Sequence, residues 1–206
     1  MKIIGITGPT GAGKSLLSEY MRENGIPVID ADGVYHSLLV PPSPCLDAIK
    51  ASFGDGVLSA NGELDRRVLS EIVFNDKEKL ELLNSTVLGF VLDKARKILA
   101  DHENEGYALA AVDAPTLIES GFDRECNIVV SVLSAPEIRV KRIMERDGID
   151  RQAAETRVRA QKEDSFYTEY SDIVLVNNGD REGFLERCGG MLAELLEHSR
   201  KEKTDD

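Results

Sequence analysis

An α/β fold is what this sequence predicts, and two patterns carry the prediction. Five short apolar runs alternate with longer stretches of helical periodicity. The first run leads straight into a glycine-rich turn and then an amphipathic helix. Strands alternating with helices argue for a parallel sheet covered on both faces. A chain of 206 residues holds one domain with a full core, so a single domain over 1–206 is expected.

The elements follow in order. Residues 2–7 are a short apolar run ending in glycine, a buried strand. Over 14–24 the apolar residues Leu16, Leu17, Tyr20 and Met21 share one helical face, and Gly25 stops the helix. Residues 27–30 read as a second strand. Pro41, Pro42 and Pro44 break the chain before a helix over 46–53, and 54–63 reads as a loop. The stretch 65–99 is mostly helical with at least one break. Runs at 107–112 and 128–133 are two more strands, each followed by a proline-marked turn. Helical patterns cover 136–145 and 152–161, and 173–176 is the fifth strand. Phe184, Leu185, Cys188, Met191, Leu192, Leu195 and Leu196 then form the stripe of a strongly amphipathic helix, which makes Cys188 a packing residue. The charged tail from about residue 200 to 206 is expected to fray.

Composition excludes several classes. Lys and Arg number 25 against 37 Asp and Glu, a net charge of −12, so the surface as a whole repels nucleic acid and anionic membranes. No apolar stretch approaches the roughly 20 residues of a membrane span. The opening eight residues are too short, and too soon broken by glycine, for a secretory signal. Cys45, Cys126 and Cys188 are odd in number and lack C-x-x-C spacing, which argues against disulfides or zinc and for a reducing cytoplasm. His36, His102 and His198 are equally scattered. Neither a nucleic-acid nor a membrane partner is expected, and nothing in the sequence specifies an oligomeric state.

The strongest signal is Gly8-Pro9-Thr10-Gly11-Ala12-Gly13-Lys14-Ser15, a full match to G-x-x-x-x-G-K-[ST] between a strand and a helix. Glycines there let successive N–H groups curl into a nest for phosphate oxygens, and the positive end of the helix adds to the field. In such a loop residues 11–16 (Gly11, Ala12, Gly13, Lys14, Ser15, Leu16) hold the nucleotide. Lys14 reaches the β- and γ-phosphates, and the Ser15 hydroxyl ligates Mg²⁺.

Acids at two strand ends and a run of cations add to it, each with two readings. Asp30 and Asp32 end the second strand, where a carboxylate can accept a proton from an attacking hydroxyl; plain turn chemistry is the other reading. Asp113 ends the third strand in the manner of a Walker-B acid that holds magnesium, and Asp-Ala-Pro is equally a turn signal. Eight cations fall within 139–162 against four anions, a local +4 while the rest of the chain carries −16. That isolated cationic pair of helices reads as a lid closing over phosphates, or as a solvated face with local pairs such as Arg142 with Glu145 and Arg151 with Glu155. In the lid reading its arginines lie on an exposed helix and have little structural role.

Taken together, several segments resemble the dephospho-CoA kinase family. They are Ile6-Thr7-Gly8 with the phosphate loop, Gly25-Ile26-Pro27-Val28-Ile29-Asp30-Ala31-Asp32, Phe53-Gly54, Leu64-Asp65-Arg66-Arg67, Val73-Phe74 and Leu83-Asn84. Asp113-Ala114-Pro115, Leu117-Ile118-Glu119, Lys141-Arg142 through Arg146-Asp147, Gln161, and Asp172 through Asn177-Asn178-Gly179 continue the series in order. The resemblance implies a nucleotide-kinase-like three-layer sandwich on a five-stranded parallel sheet. A helical substrate region is inserted over about 35–100, and a short lid covers about 139–170. It implies ATP and Mg²⁺ as cofactors and dephospho-CoA as the small-molecule substrate, phosphorylated on its ribose 3′-hydroxyl. Asp32 carries over as general base, Arg142 and Arg146 as lid arginines, and Asn177 as a contact for adenine. Thr7, Asp32, Arg66 and Arg67 are expected to meet the substrate, and Ser15 and Asp113 the metal.

Two departures stand out. Leu88-Gly89 occupies the place of the family's usual His-Pro, so that histidine is missing or is supplied by His36 or His102. Pro115-Thr116-Leu117 replaces Pro-Leu-Leu, a milder change. Another nucleoside or nucleotide kinase is the runner-up reading, ahead of a nucleotide-binding switch; neither an Asn-Lys-x-Asp nor a Ser-Gly-Gly-Gln motif is present to favour the switch.

Overall fold

Strand β1, Lys2–Thr7, sits at the centre of the sheet, as its run of small and branched apolar residues requires. The computed structural model describes residues 1–74 and 76–202, with side chains to residue 197. After β1 come α1 (Lys14–Glu23), β2 (Val28–Asp30), α2 (Ala31–Ser37), α3 (Pro44–Phe53), α4 (Arg66–Phe74) and α5 (Lys77–Asn104). Then follow β3 (Leu109–Asp113), β4 (Ile128–Leu133), α6 (Pro136–Asp147), α7 (Arg151–Arg159), α8 (Asp164–Glu169), β5 (Ile173–Val176) and α9 (Arg181–Glu202). All five predicted strands form, in the order β2-β3-β1-β4-β5. Among the described residues no helix is long and apolar enough to cross a membrane.

The chain divides into two compact units, residues 1–28 with 102–206, and residues 29–101. In the first, β1 pairs in parallel with β3 on one side and β4 on the other, and β4 pairs with β5. One face of the sheet presents Ile4, Ile6, Ala111, Val130, Val132 and Leu175 to the apolar stripes of α1 and α9. Cys188 is fully buried in that core, as the periodicity predicts. The other face is close-packed at Gly5, where an added Cβ would lie 2.5 Å from Leu117 and 2.9 Å from the Cys126 sulfur. Helix α1 ends as foreseen. Gly25 takes a positive φ of 78°, Ile26 N donates to Met21 O and Gly25 N to Arg22 O, a pair of bonds that satisfies the last carbonyls.

The second unit is helical, with a core of Leu39, Cys45, Ile49, Val57, Leu69, Val73 and Leu83. Three of its features depart from the sequence reading. Helix α3 starts at Pro44 rather than beyond it, because proline is tolerated in a first turn and Ser43 caps it, its hydroxyl accepting from Leu46 N at 3.2 Å. Helix α2 was not anticipated, since seven residues with one buried side chain leave no periodic signal. The break in the 65–99 stretch falls between α4 and α5, and α5 then runs on to Asn104 without interruption through Leu88 and Gly89.

Helix α8 is a further short helix absent from the sequence reading. At the carboxyl terminus α9 keeps helical backbone to Glu202, and residues 203–206 of the tail expected to fray lie outside the described residues.

Candidate functional site

The phosphate loop lies between β1 and α1, at the carboxyl end of a central parallel strand, where open α/β sheets bind their ligands. Gly13 has a φ of 107°, and a Cβ there would fall 2.2 Å from the amide nitrogen of Asn177, so glycine is required twice over. The Lys14 ammonium donates to Gly8 O across the loop at 2.7 Å. Ser15 is exposed in the first turn of α1. Asp113, at the end of β3, accepts from the Ser18 hydroxyl at 2.6 Å. Loop, Lys14, Ser15 and Asp113 are thus gathered in one unit.

Sequence reasoning missed Ser18. It is 1% exposed and sits three residues after Ser15 on the otherwise apolar buried stripe of α1, which was the available signal. Gln161 was noted only as a family match. Its side-chain oxygen accepts from the Thr10 amide at 3.3 Å, tying the stretch after α7 to the loop.

Three expected contacts are placed differently. Arg142 is half-buried rather than on an open lid. It donates to Gly11 O at 3.3 Å, Ala12 O at 3.2 Å, the Ser134 hydroxyl at 3.4 Å and the Asn177 side-chain oxygen at 3.2 Å. Burial holds its pKa below the usual arginine value. Asn177 joins the same clamp, its Nδ2 donating to Ala12 O at 2.8 Å, so its side chain braces the loop. Thr7 is fully buried, its hydroxyl directed to Pro115 O at 3.4 Å between β1 and the segment after β3.

Most of the other lid cations are paired locally. Asp147 accepts from Arg146 at 2.7 and 3.0 Å and from Arg157 at 2.5 Å, and the Arg146 hydrogen bonds hold its carboxyl below the usual aspartate range. Arg151 bridges Glu137 and Glu155, and Arg159 joins Glu155. The expected Arg151–Glu155 pair is present, while Arg142 turns to the loop instead of Glu145.

In the second unit, β2 ends at Asp30, which caps α2 by accepting from Asp32 N at 3.0 Å. The two acids therefore do not share a strand face. Asp30 is the turn residue, and Asp32 is left exposed in the first helical turn. Burial raises the hydroxyl of Tyr35, one turn on, above the usual tyrosine value, against the opposing charge of Arg66. Asp65 caps α4 by accepting from Arg67 N and Val68 N, both at 3.1 Å, and so presents Arg66 and Arg67 exposed at the helix start. His36 is exposed four residues after Asp32 on the same helix. His102 lies in the first unit. It precedes β3, packs edge-on against Tyr107, and lies at the end of the sheet opposite the phosphate loop. Among the described residues no group of three or more His, Cys, Asp or Glu is built to hold a metal by itself.

Known proteins bear on this arrangement. The family description of dephospho-CoA kinase matches residues 2–182. A dephospho-CoA kinase of Shouchella clausii is 35% identical over 190 residues, covering 92% of this chain and 96% of its own. One from Geobacillus kaustophilus is 38% identical over 182 residues, covering 87% and 89%. A solved dephospho-CoA kinase from Campylobacter jejuni superposes with a TM-score of 0.71 at 27% identity, covering 95% of this chain and 98% of that one. Since the match takes in the phosphate loop, the capped Asp32 turn, the Arg66-Arg67 helix start and the cationic helices alike, the chain belongs to the dephospho-CoA kinase family.

Proposed function

We infer that this protein transfers the terminal phosphoryl group of ATP to the ribose 3′-hydroxyl of dephospho-coenzyme A, the last step in making coenzyme A. The observation that carries the reading is an intact phosphate loop, followed by an exposed Asp32 on a capped turn, inside a family match over residues 2–182.

In this reading residues 11–16 cradle the phosphates with backbone N–H groups, and the start of α1 adds its dipole. Lys14 leaves the Gly8 carbonyl to neutralise charge on the transferring group. Asp32 orients the acceptor hydroxyl and takes its proton, a role that suits an exposed carboxylate whose own backbone is already fixed by Asp30. Arg66 and Arg67 supply cations for the acceptor's diphosphate, and their first-turn position, unfavourable beside the helix dipole, supports a ligand role. Arg142 holds the loop in shape and Arg146 approaches the phosphates once released from Asp147.

The Ser15 hydroxyl and the Asp113 carboxylate are oxygen donors of the kind a hard cation takes, and Ser18 orients the carboxylate. They would hold Mg²⁺, which draws charge from the phosphate oxygens when bound. The three free thiols suit a reducing cytoplasm.

The test is kcat/KM across dephospho-CoA, adenosine, AMP, other nucleoside monophosphates and shikimate. Dephospho-CoA should stand well above the rest, because the remote diphosphate and pantetheine contacts position its hydroxyl. A small acceptor that equals it would reduce the assignment to a kinase of unknown acceptor.

A further inference from the structure

Helix α6 carries four cations, and three have protein partners: Lys141 with Glu145, Arg142 with the phosphate loop, Arg146 with Asp147. The fourth, Arg139, is 5% exposed, and its Nε and Nη1 are shut off from solvent without a hydrogen-bond partner. Among the described residues two other side-chain atoms share that condition, the Oδ1 oxygens of Asp123 and Asp164. Asp123 precedes β4 whereas α6 follows it, which sets those two at opposite ends of that strand. Asp164, in the first turn of α8, stands on the side of Arg139, with Tyr167 of the same helix in reach of both. Burial raises the Tyr167 hydroxyl above the usual tyrosine value, Glu119 and Asp164 adding to the rise and Arg139 opposing it. Glu119 is exposed and keeps its water, so Asp164 is the anion with an idle buried oxygen. Buried donors and a buried acceptor of opposite charge are each costly alone, and joining them relieves both.

What such a pair would join bears on the phosphate loop. The backbone of Arg139 lies on it: a Cβ added at Gly11 would come 3.0 Å from Arg139 O. Three residues before Asp164, Gln161 accepts from the Thr10 amide at 3.3 Å. Two consecutive loop residues are thus held by the two stems of one segment, α6 leading into the cationic helices and the turn after α7 leading out. Residues 160–163 are not helical, so the outgoing stem can shift between α7 and α8. Residues 139–162 carry a local +4, and a triphosphate on the loop draws them inward.

We propose that Arg139 and Asp164 are a positioning pair for phosphoryl transfer. Their side chains join when nucleotide occupies the loop, Nε–H and Nη1–H donating to the Asp164 carboxylate. The joined stems then fix Gln161, and through it Thr10, in the geometry that holds the phosphates. Neither side chain touches the nucleotide, and the proposal rests on the kinase reading above. Arg142 braces the loop directly, while Arg139, one turn earlier on α6, acts through Asp164 and Gln161.

The experiment compares the wild type with Arg139→Gln, Asp164→Asn and Gln161→Ala, and with Asp164→Asn combined with each of the other two. The KM for ATP and kcat are measured, with the melting temperature read in the presence and absence of ATP. Asp164→Asn should melt like the wild type without ligand, because its Oδ1 has no partner to lose. It should raise the ATP KM by about 10-fold, the size of a lost charge-assisted hydrogen bond, with a smaller fall in kcat. The rise in melting temperature on adding ATP should shrink accordingly. Arg139→Gln with Asp164→Asn should cost no more than the worse single variant, and Asp164→Asn should add little to Gln161→Ala, as residues acting in one chain do. An unchanged ATP KM, or effects that simply multiply in both combinations, overturns the proposal. So does an equal loss of melting temperature with and without ATP, which would make the pair purely structural. Should Arg139→Gln fail to fold, Asp164→Asn alone and with Gln161→Ala decides the matter. A wild type whose melting temperature ignores ATP sinks the kinase reading itself, whereas a normal wild-type shift with indifferent variants sinks this inference alone.

Discussion

Asp30 and Asp32 show how much two atoms decide at the scale of a residue. Both are acids two positions apart, yet Asp30 accepts the Asp32 amide and is consumed as a cap, while Asp32 stays exposed. Asp32→Asn should therefore lower kcat by about 10²–10⁴-fold with little change in the KM for ATP, as expected for a group that acts on the acceptor. Steady-state kinetics checks it; an effect confined to the ATP KM would move Asp32 to the nucleotide side. Arg142 makes the opposite case. The lid reading gives it no structural part, but four hydrogen bonds to the loop, Ser134 and Asn177 do. Arg142→Ala should cost about 1–3 kcal/mol of stability, the range for hydrogen bonds made by charged groups, and raise the ATP KM as the loop loosens. Thermal melting and kinetics on the same preparation read both; an unchanged melting temperature would return Arg142 to the open lid.

Among the elements, α5 is the most informative. Its 28 residues run through Gly89, which is exposed with nothing within 4 Å of an added Cβ. A glycine in mid-helix costs backbone entropy without any compensating contact here. Gly89→Ala should stabilise the protein by about 0.5–1 kcal/mol and leave kcat unchanged, measured by denaturant unfolding. A destabilised variant would mean that this position needs its flexibility. The same continuity bears on the family's usual His-Pro at these two positions: a proline at 89 would remove a hydrogen bond from the helix interior, and Leu88-Gly89 keeps it.

Over the whole molecule, an acidic chain of net charge −12 must gather cations locally to hold a triphosphate. It does so by placing Lys14 at the head of α1 and setting α6 beside the loop. Binding to the folded state alone then adds stability by mass action. ATP at a hundred times its Kd should contribute about 2.7 kcal/mol, a rise of roughly 5–10 °C in melting temperature for a chain of this size. Differential scanning fluorimetry with ATP measures the rise, and no shift at millimolar ATP would contradict the nucleotide reading.

The sequence by itself determined the strands, the phosphate loop and the family. Strands β1, β4 and β5 fall where the apolar runs place them; for β1 and β4 the reason is that a buried parallel strand needs a continuous apolar run and little else does. The loop is legible because its glycines answer to backbone conformations that other residues avoid. Helices α2 and α8 were illegible, being too short for a period to show. The partners of long polar side chains were decided only by the tertiary structure. Arg139, Arg142 and Arg146 lie within eight positions on one helix and look alike in sequence, yet one is buried without a partner, one braces the loop and one is held by Asp147. Hydrogen bonds join groups that the fold brings from 131 positions away, and no local pattern encodes which donor meets which acceptor.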